Sequence, residues 1–320
     1  MADDDIPVHN LKSKKIQRHN KLLPDEHLRA VFSGAPKSGK TQRLINMLLK
    51  PGFLDYNHLI LFMPPIKQLC YHIMLQGFNS GLTKDEIADI IVNIDDYKKN
   101  PEEEGISNEE LDEIIQPVLE RREEKNLVID NDISVDCYTL KTANELPHAE
   151  DLNPNQKHIF VSDDCTNHPE MKPIIADYFC NGRHNNISPI YLNQKFNNND
   201  KVIRDNANML FLFKLPAAQL KTIYDDWCSS DVDWKPFISA YSRVLKTPLY
   251  RDDPKSLYNF IVVDKTTEEP NRKYREGLKK PLFREIDEES VGTGMKKQKK
   301  EHSSTSTKVI TKRINHLHLK

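Results

Sequence analysis

Residues 28–49 read LRAVFSGAPKSGKTQRLINMLL, and no other stretch restricts the possible folds as sharply. Ala30, Val31 and Phe32 form a short apolar run of the kind that becomes a buried strand. Leu44, Ile45, Leu48 and Leu49 then recur at helical spacing. Between them, four residues separate Gly34 from Gly39, and Lys40 and Thr41 follow directly, the Walker A spacing. The two glycines allow a tight turn in which successive N–H groups point at an anion with no Cβ in the way. The helix that follows adds its partly positive end. The expected phosphate-binding stretch is therefore Gly34, Ala35, Pro36, Lys37, Ser38, Gly39, Lys40, Thr41 and Gln42. In it, Lys40 reaches the β- and γ-phosphates of ATP and the Thr41 hydroxyl ligates Mg²⁺. With only 10 glycines in 320 residues, a chance match is on the order of one in a few hundred.

A loop of this kind joins a strand to a helix in a parallel sheet, and the following residues continue the pattern. Pro51 and Gly52 end the helix, His58 to Met63 reads as a second buried strand, and Ile66 to Leu75 as a returning helix. This is a β-α-β unit, so the expected class is α/β with a mostly parallel central sheet flanked by helices. From residue 79 to about 131 the chain turns acidic. Two amphipathic segments, Lys84 to Lys99 and Asn108 to Glu124, suggest a helical hairpin inserted into the core. It reads either as a solvated covering layer or as a lid or subunit contact.

The run Ile159-Phe160-Val161-Ser162 ends on Asp163-Asp164. Catalytic groups of open α/β sheets gather at the C-terminal ends of strands, so Asp163 is expected at the metal, and Asp164 is expected to orient or deprotonate the attacking water. A helix from Pro169 to about Asn181 leads through Gly182-Arg183-His184 into the strand ISPIYLNQ, residues 187–194. Gln194 at its end carries both a donor and an acceptor, suited to sensing a γ-phosphate. Further strands are expected at 208–214 and 257–263, with helices at 216–227 and 235–245 between them. Trp227 and Trp234 read as core anchors.

The combination of LLPDEHLRAVFSGAPKSGKT, the IFVSDD strand and the GRHNNISPIYLNQ block resembles the FtsK/HerA-type DNA-packaging ATPases, closest to those of large DNA viruses, virophages and polinton-like elements. The likeness extends from Leu22 to Asp264, and its specific part is the Arg-His to Gln block. It implies a RecA/FtsK-like P-loop NTPase fold of the ASCE type and Mg²⁺-dependent ATP hydrolysis. It also implies a homo-oligomeric ring that moves double-stranded DNA into a capsid, with capsid or portal proteins as partners. The family's arginine finger, acting across a subunit boundary, falls on Arg183, and its sensor glutamine on Gln194. Arg204, in an Arg-x-Asn element, is a second finger candidate. Pro189 departs from the family's small apolar residue and leaves the start of that strand open. A helicase or DNA-transfer ATPase of the same superfamily, and a non-motor nucleotide-binding scaffold, are the alternative functions.

Composition agrees with a globular protein: hydrophobic residues are 38%, charged residues 29% and the net charge is −2. The N-terminus lacks an apolar segment of secretory type, no run is long enough to span a bilayer, and the five dispersed cysteines read as reduced thiols. The resemblance implies a location inside a host cell, at a viral assembly site in the cytoplasm or nucleus or in association with the virion, and no membrane partner is expected. The expected organisation is a polar arm at 1–27, an ATPase core at 28–265 and a polar extension at 266–320, basic beyond about residue 290. That tail, with KKQKK, suits non-specific DNA contact, a nuclear address or simple solubility.

Overall fold

A computed structural model describes residues 18–24, 27–64, 69–94, 107–124, 133–165, 168–198, 200–246 and 259–283. Its centre is a nine-stranded sheet with strands in the order β3-β2-β4-β5-β1-β6-β7-β8-β9. The parallel part comprises β1 (Ala30–Ser33), β2 (His58–Phe62), β3 (Ser134–Tyr138), β4 (His158–Asp163), β5 (Ile187–Asn193) and β6 (Met209–Leu212). The last three strands, β7 (Ile261–Asp264), β8 (Tyr274–Glu276) and β9 (Lys280–Pro281), run antiparallel to their neighbours. This is the expected α/β class.

Both faces of the sheet are covered at β1, β2, β4, β5, β6 and β7, so these strands are apolar at most positions rather than alternating. Val31 and Phe160 point into one core, with α5 (Lys172–Asn181), α7 (Ala217–Trp227) and α8 (Trp234–Tyr241). Ala30, Phe32, Ile159 and Val161 point into the other, under α1 (Lys40–Leu49) and α2 (Leu69–Asn79). Phe160 stacks on Tyr178 at 3.7 Å between centroids, and Phe32 on Phe211 at 4.2 Å. Fully burying one of these side chains contributes about 1.5–3 kcal/mol. The helix α1 owes its position to this term, since Leu44 and Leu48 are wholly buried.

Strand β5 lies between β1 and β4, pairing with both. Pro189 is tolerated because the ladder with β1 starts only at Ile190. The order of strands brings the ends of β1, β5 and β4 side by side, which places the phosphate loop, Gln194 and Asp163-Asp164 on one rim of the sheet.

The acidic segments form α3 (Lys84–Val92) and α4 (Asn108–Glu124). Thr83 and Glu86 make a reciprocal capping box at the start of α3. Arg122 binds the Glu86 carboxylate and donates to the Gly81 carbonyl at 3.0 Å, tying α4 back to α3. Ile87, Ile90, Leu111 and Ile115 are buried in the same core as α1 and α2. The pair is thus packed as a covering layer.

Two expected boundaries are corrected. The arm does not end at residue 27: Arg18 donates to the carbonyls of Asp55, Asn186 and His158 at 3.2, 2.7 and 2.9 Å, and Leu23 is buried. One guanidinium there satisfies three chain segments. Nor does the core stop at 265, because β8 and β9 extend the sheet, with α6 (Lys201–Asn206) and α9 (Pro270–Lys273) among the connecting helices. Lys273 pairs with Asp231 at 2.5 Å and Arg275 with Asp264 at 3.3 Å, so charged residues occupy positions where a sequence pattern looks for apolar ones. The basic tail, including KKQKK, and the lysines before residue 18 lie outside the described residues.

Candidate nucleotide site

The loop after β1 is hung between its neighbours: the Gly34 N–H donates to the Asn193 carbonyl at 3.2 Å and the Ala35 N–H to the Lys214 carbonyl at 2.9 Å. A Cβ on Gly34 would lie 2.6 Å from both Phe213 Cβ and Ser38 Oγ, so only glycine fits this approach. Gly39 has φ +91° and is the N-cap of α1, a left-handed conformation that leaves the first N–H groups of the helix facing outward. Lys40 is buried. Its Nζ donates to the Gly34 and Ala35 carbonyls at 2.8 and 3.0 Å, and burial holds its pKa below the ordinary lysine value against the pull of Asp163 and Asp164.

Asp163, the last residue of β4, accepts a hydrogen bond from the Tyr71 hydroxyl at 2.9 Å and another from Thr41 Oγ1 at 3.3 Å, both on Oδ2. Burial pushes its carboxyl up to about 6, outweighing the stabilisation from Tyr71 and from Lys40. Asp164 follows with φ +55°, a left-handed turn that aspartate tolerates better than most residues. This turn carries its carboxylate back over the rim, where Oδ1 accepts from Gln194 Nε2 at 2.8 Å.

These groups line one cavity of about 520 Å³ with Pro36, Lys37, Ser38, Gly39, Lys40, Thr41 and Gln42 on one wall and Asp163, Asp164 and Gln194 on the other. Gly34 and Ala35, also expected here, do not line it; they anchor the loop from below. The donor set fits Mg²⁺, which takes hard oxygen ligands and few of them from protein: a threonine hydroxyl and a carboxylate oxygen already stand together as Thr41 and Asp163.

The two arginines are elsewhere. Arg183 is exposed on the turn 182–185 before β5, whereas Gln194 follows the other end. Seven strand residues separate those ends, about 20 Å at ~3.3 Å per residue. Arg183 therefore cannot complete the site of its own chain. Arg204 pairs with Asp226 at 2.5 Å and is likewise absent from the cavity.

Sequence reasoning passed over Tyr71, Asn193 and Cys70. Tyr71 is fully buried on α2 and fixes the Asp163 carboxylate, yet in sequence it is one aromatic in an apolar helix. Asn193 is wholly buried in the cavity wall. Its Oδ1 accepts from Ser33 Oγ at 2.9 Å, while Nδ2 has no partner among the described residues. An asparagine in a buried strand beside Gln194 was the available signal.

No family model and no curated protein matches the chain in sequence. Among solved structures, it is similar to the genome packaging NTPase B204 from Sulfolobus turreted icosahedral virus 2 in complex with sulfate. The match has 11% identity and a TM-score of 0.39, and covers 78% of this chain and 95% of that one. The ATP-gammaS complex of the same protein matches at 10% identity, 78% and 95% coverage and a TM-score of 0.39. EssC (ATPases 2 and 3) from Geobacillus thermodenitrificans matches at 14% identity and a TM-score of 0.36, over 86% of this chain and 44% of that one. Likenesses at this level concern the outline of the fold and not the chemistry of the site. Among the described residues, no helix is long and apolar enough to cross a membrane.

Proposed function

We propose that this protein hydrolyses ATP with Mg²⁺ and couples the reaction to moving double-stranded DNA into a viral capsid, working as a homo-oligomeric ring. The observation that carries the hydrolytic part is the contact between Gln194 and Asp164, set opposite Lys40 and Thr41 in one cavity. A phosphate-binding loop alone supports binding. A carboxylate coupled to a polar strand-end side chain supports attack by water.

Each residue then has a task. The loop N–H groups and Lys40 bind the β- and γ-phosphates and stabilise the charge that builds on them during in-line displacement. Thr41 and Asp163 would hold the Mg²⁺, which supplies charge neutralisation at the phosphates. Tyr71 fixes the Asp163 oxygen that faces Thr41. Asp164 accepts a proton from the attacking water, or orients it, and Gln194 links that carboxylate to the γ-phosphate position. Arg183 of a neighbouring subunit would supply the remaining positive charge, the arrangement to which the sequence resemblance and its distance from its own site both point.

The DNA part of the reading rests on that resemblance and is tested by displacement of a third-strand oligonucleotide from blunt duplex DNA. ATP and Mg²⁺ should release the oligonucleotide without separating the duplex. Strand separation would indicate a helicase, and no release despite ATP turnover would remove the motor.

A further inference from the structure

A second cavity, of about 350 Å³, opens on the other flank of α1 from the carboxylates, beside β7 and β8. The phosphate cavity takes Gln42 as a wall residue, and this one takes Arg43. Opposite Arg43 are Phe260, which precedes β7, and the turn of Gly277 to Lys280 after β8.

Arg43 is the unusual member. Its guanidinium stands 4.6 Å over the Phe260 ring, its Nε is out of reach of solvent with no hydrogen-bond partner, and no carboxylate pairs with it among the described residues. Glu276, which lines the same cavity, is already bound by Arg243 at 2.8 Å. A partly buried cation without a counter-charge costs free energy. What offsets that cost is stacking, for which a planar guanidinium is suited on both of its faces. Phe260 covers one of them.

The facing turn is held firmly. Gly277 has φ +62° and its N–H donates to the Phe260 carbonyl at 2.8 Å, while Arg275 Nη1 donates to the Leu278 and Leu22 carbonyls at 3.1 and 2.7 Å. This brings Lys279 and Lys280 to the cavity's edge. A wall that is already ordered loses little entropy on binding.

Direction comes from the first site. Asp164 and Gln194 lie at the ends of β4 and β5, on one side of β1, and they mark the γ-phosphate end of a bound nucleotide. The α-phosphate end must then leave the loop toward the opposite side, where β6 and β7 stand. That path leads to Arg43.

We infer that this second cavity is the nucleoside subsite, with the nucleobase stacked on the Arg43 guanidinium and the ribose edge facing the turn at Gly277 to Lys280. The inference rests on the reading of the phosphate cavity, and its test separates the two. Isothermal titration with ATP is compared with inorganic tripolyphosphate, which carries the phosphates and no nucleoside. In Arg43→Ala, ATP affinity should fall about tenfold, while tripolyphosphate affinity stays within about twofold. Arg43→Lys keeps the charge and the stem and loses the flat face; it should show most of the same selective loss, and it guards against a folding defect. Equal weakening of both ligands, or of neither, would overturn the subsite. Lys40→Ala should weaken both. Retention of tripolyphosphate affinity in that variant would overturn the phosphate cavity instead.

Discussion

Lys40→Ala is expected to abolish measurable ATP turnover, a loss of about a thousandfold or more. Removing a single preorganised donor from a developing oxyanion costs on the order of 10²–10³ in rate, and this one also carries a full charge on a buried side chain. The fold should tolerate the change. Among the described residues, the Lys40 side chain is hydrogen-bonded to the Gly34 and Ala35 carbonyls, both at the loop itself, and alanine is a good first-turn helix residue. Turnover by phosphate release, paired with a thermal melt, checks both statements. Wild-type turnover in a folded Lys40→Ala protein would contradict the assignment of the loop.

Asp164→Asn is expected to separate binding from chemistry. Asparagine keeps an oxygen for the Gln194 amide, so the 2.8 Å contact and the left-handed turn at this position survive. The proton acceptor is gone. General-base contributions are typically 10²–10⁴-fold, and single-turnover hydrolysis should fall within that range while a fluorescent ATP analogue binds within a few-fold of wild type. Loss of binding would move Asp164 to the metal, in place of Asp163, whose Oδ2 stands 3.3 Å from Thr41.

The site was legible because its parts are local in sequence. Gly34 to Thr41 form one loop, Asp163 and Asp164 close one strand, and Gln194 closes the next, so each could be assigned from its own neighbourhood. Their meeting follows from strand order alone, since parallel strands end on the same rim. The residues that escaped notice depend on packing between distant segments. Tyr71 reaches Asp163 across 92 positions, and Ser33 reaches Asn193 across 160. The edge strand β3 escaped for a different reason: Ser134, Asp136 and Cys137 are exposed on it, so it has no buried run to read. At the C-terminal side, Lys273 and Arg275 are buried with acidic partners, and their charge disguised a stretch that completes the sheet.

The sharpest test of the proposed DNA motor is the rate of ATP hydrolysis with Mg²⁺ in the presence and absence of blunt double-stranded DNA. Turnover should rise several-fold with duplex and vanish in Lys40→Ala. Turnover indifferent to duplex DNA at low salt would contradict a DNA motor.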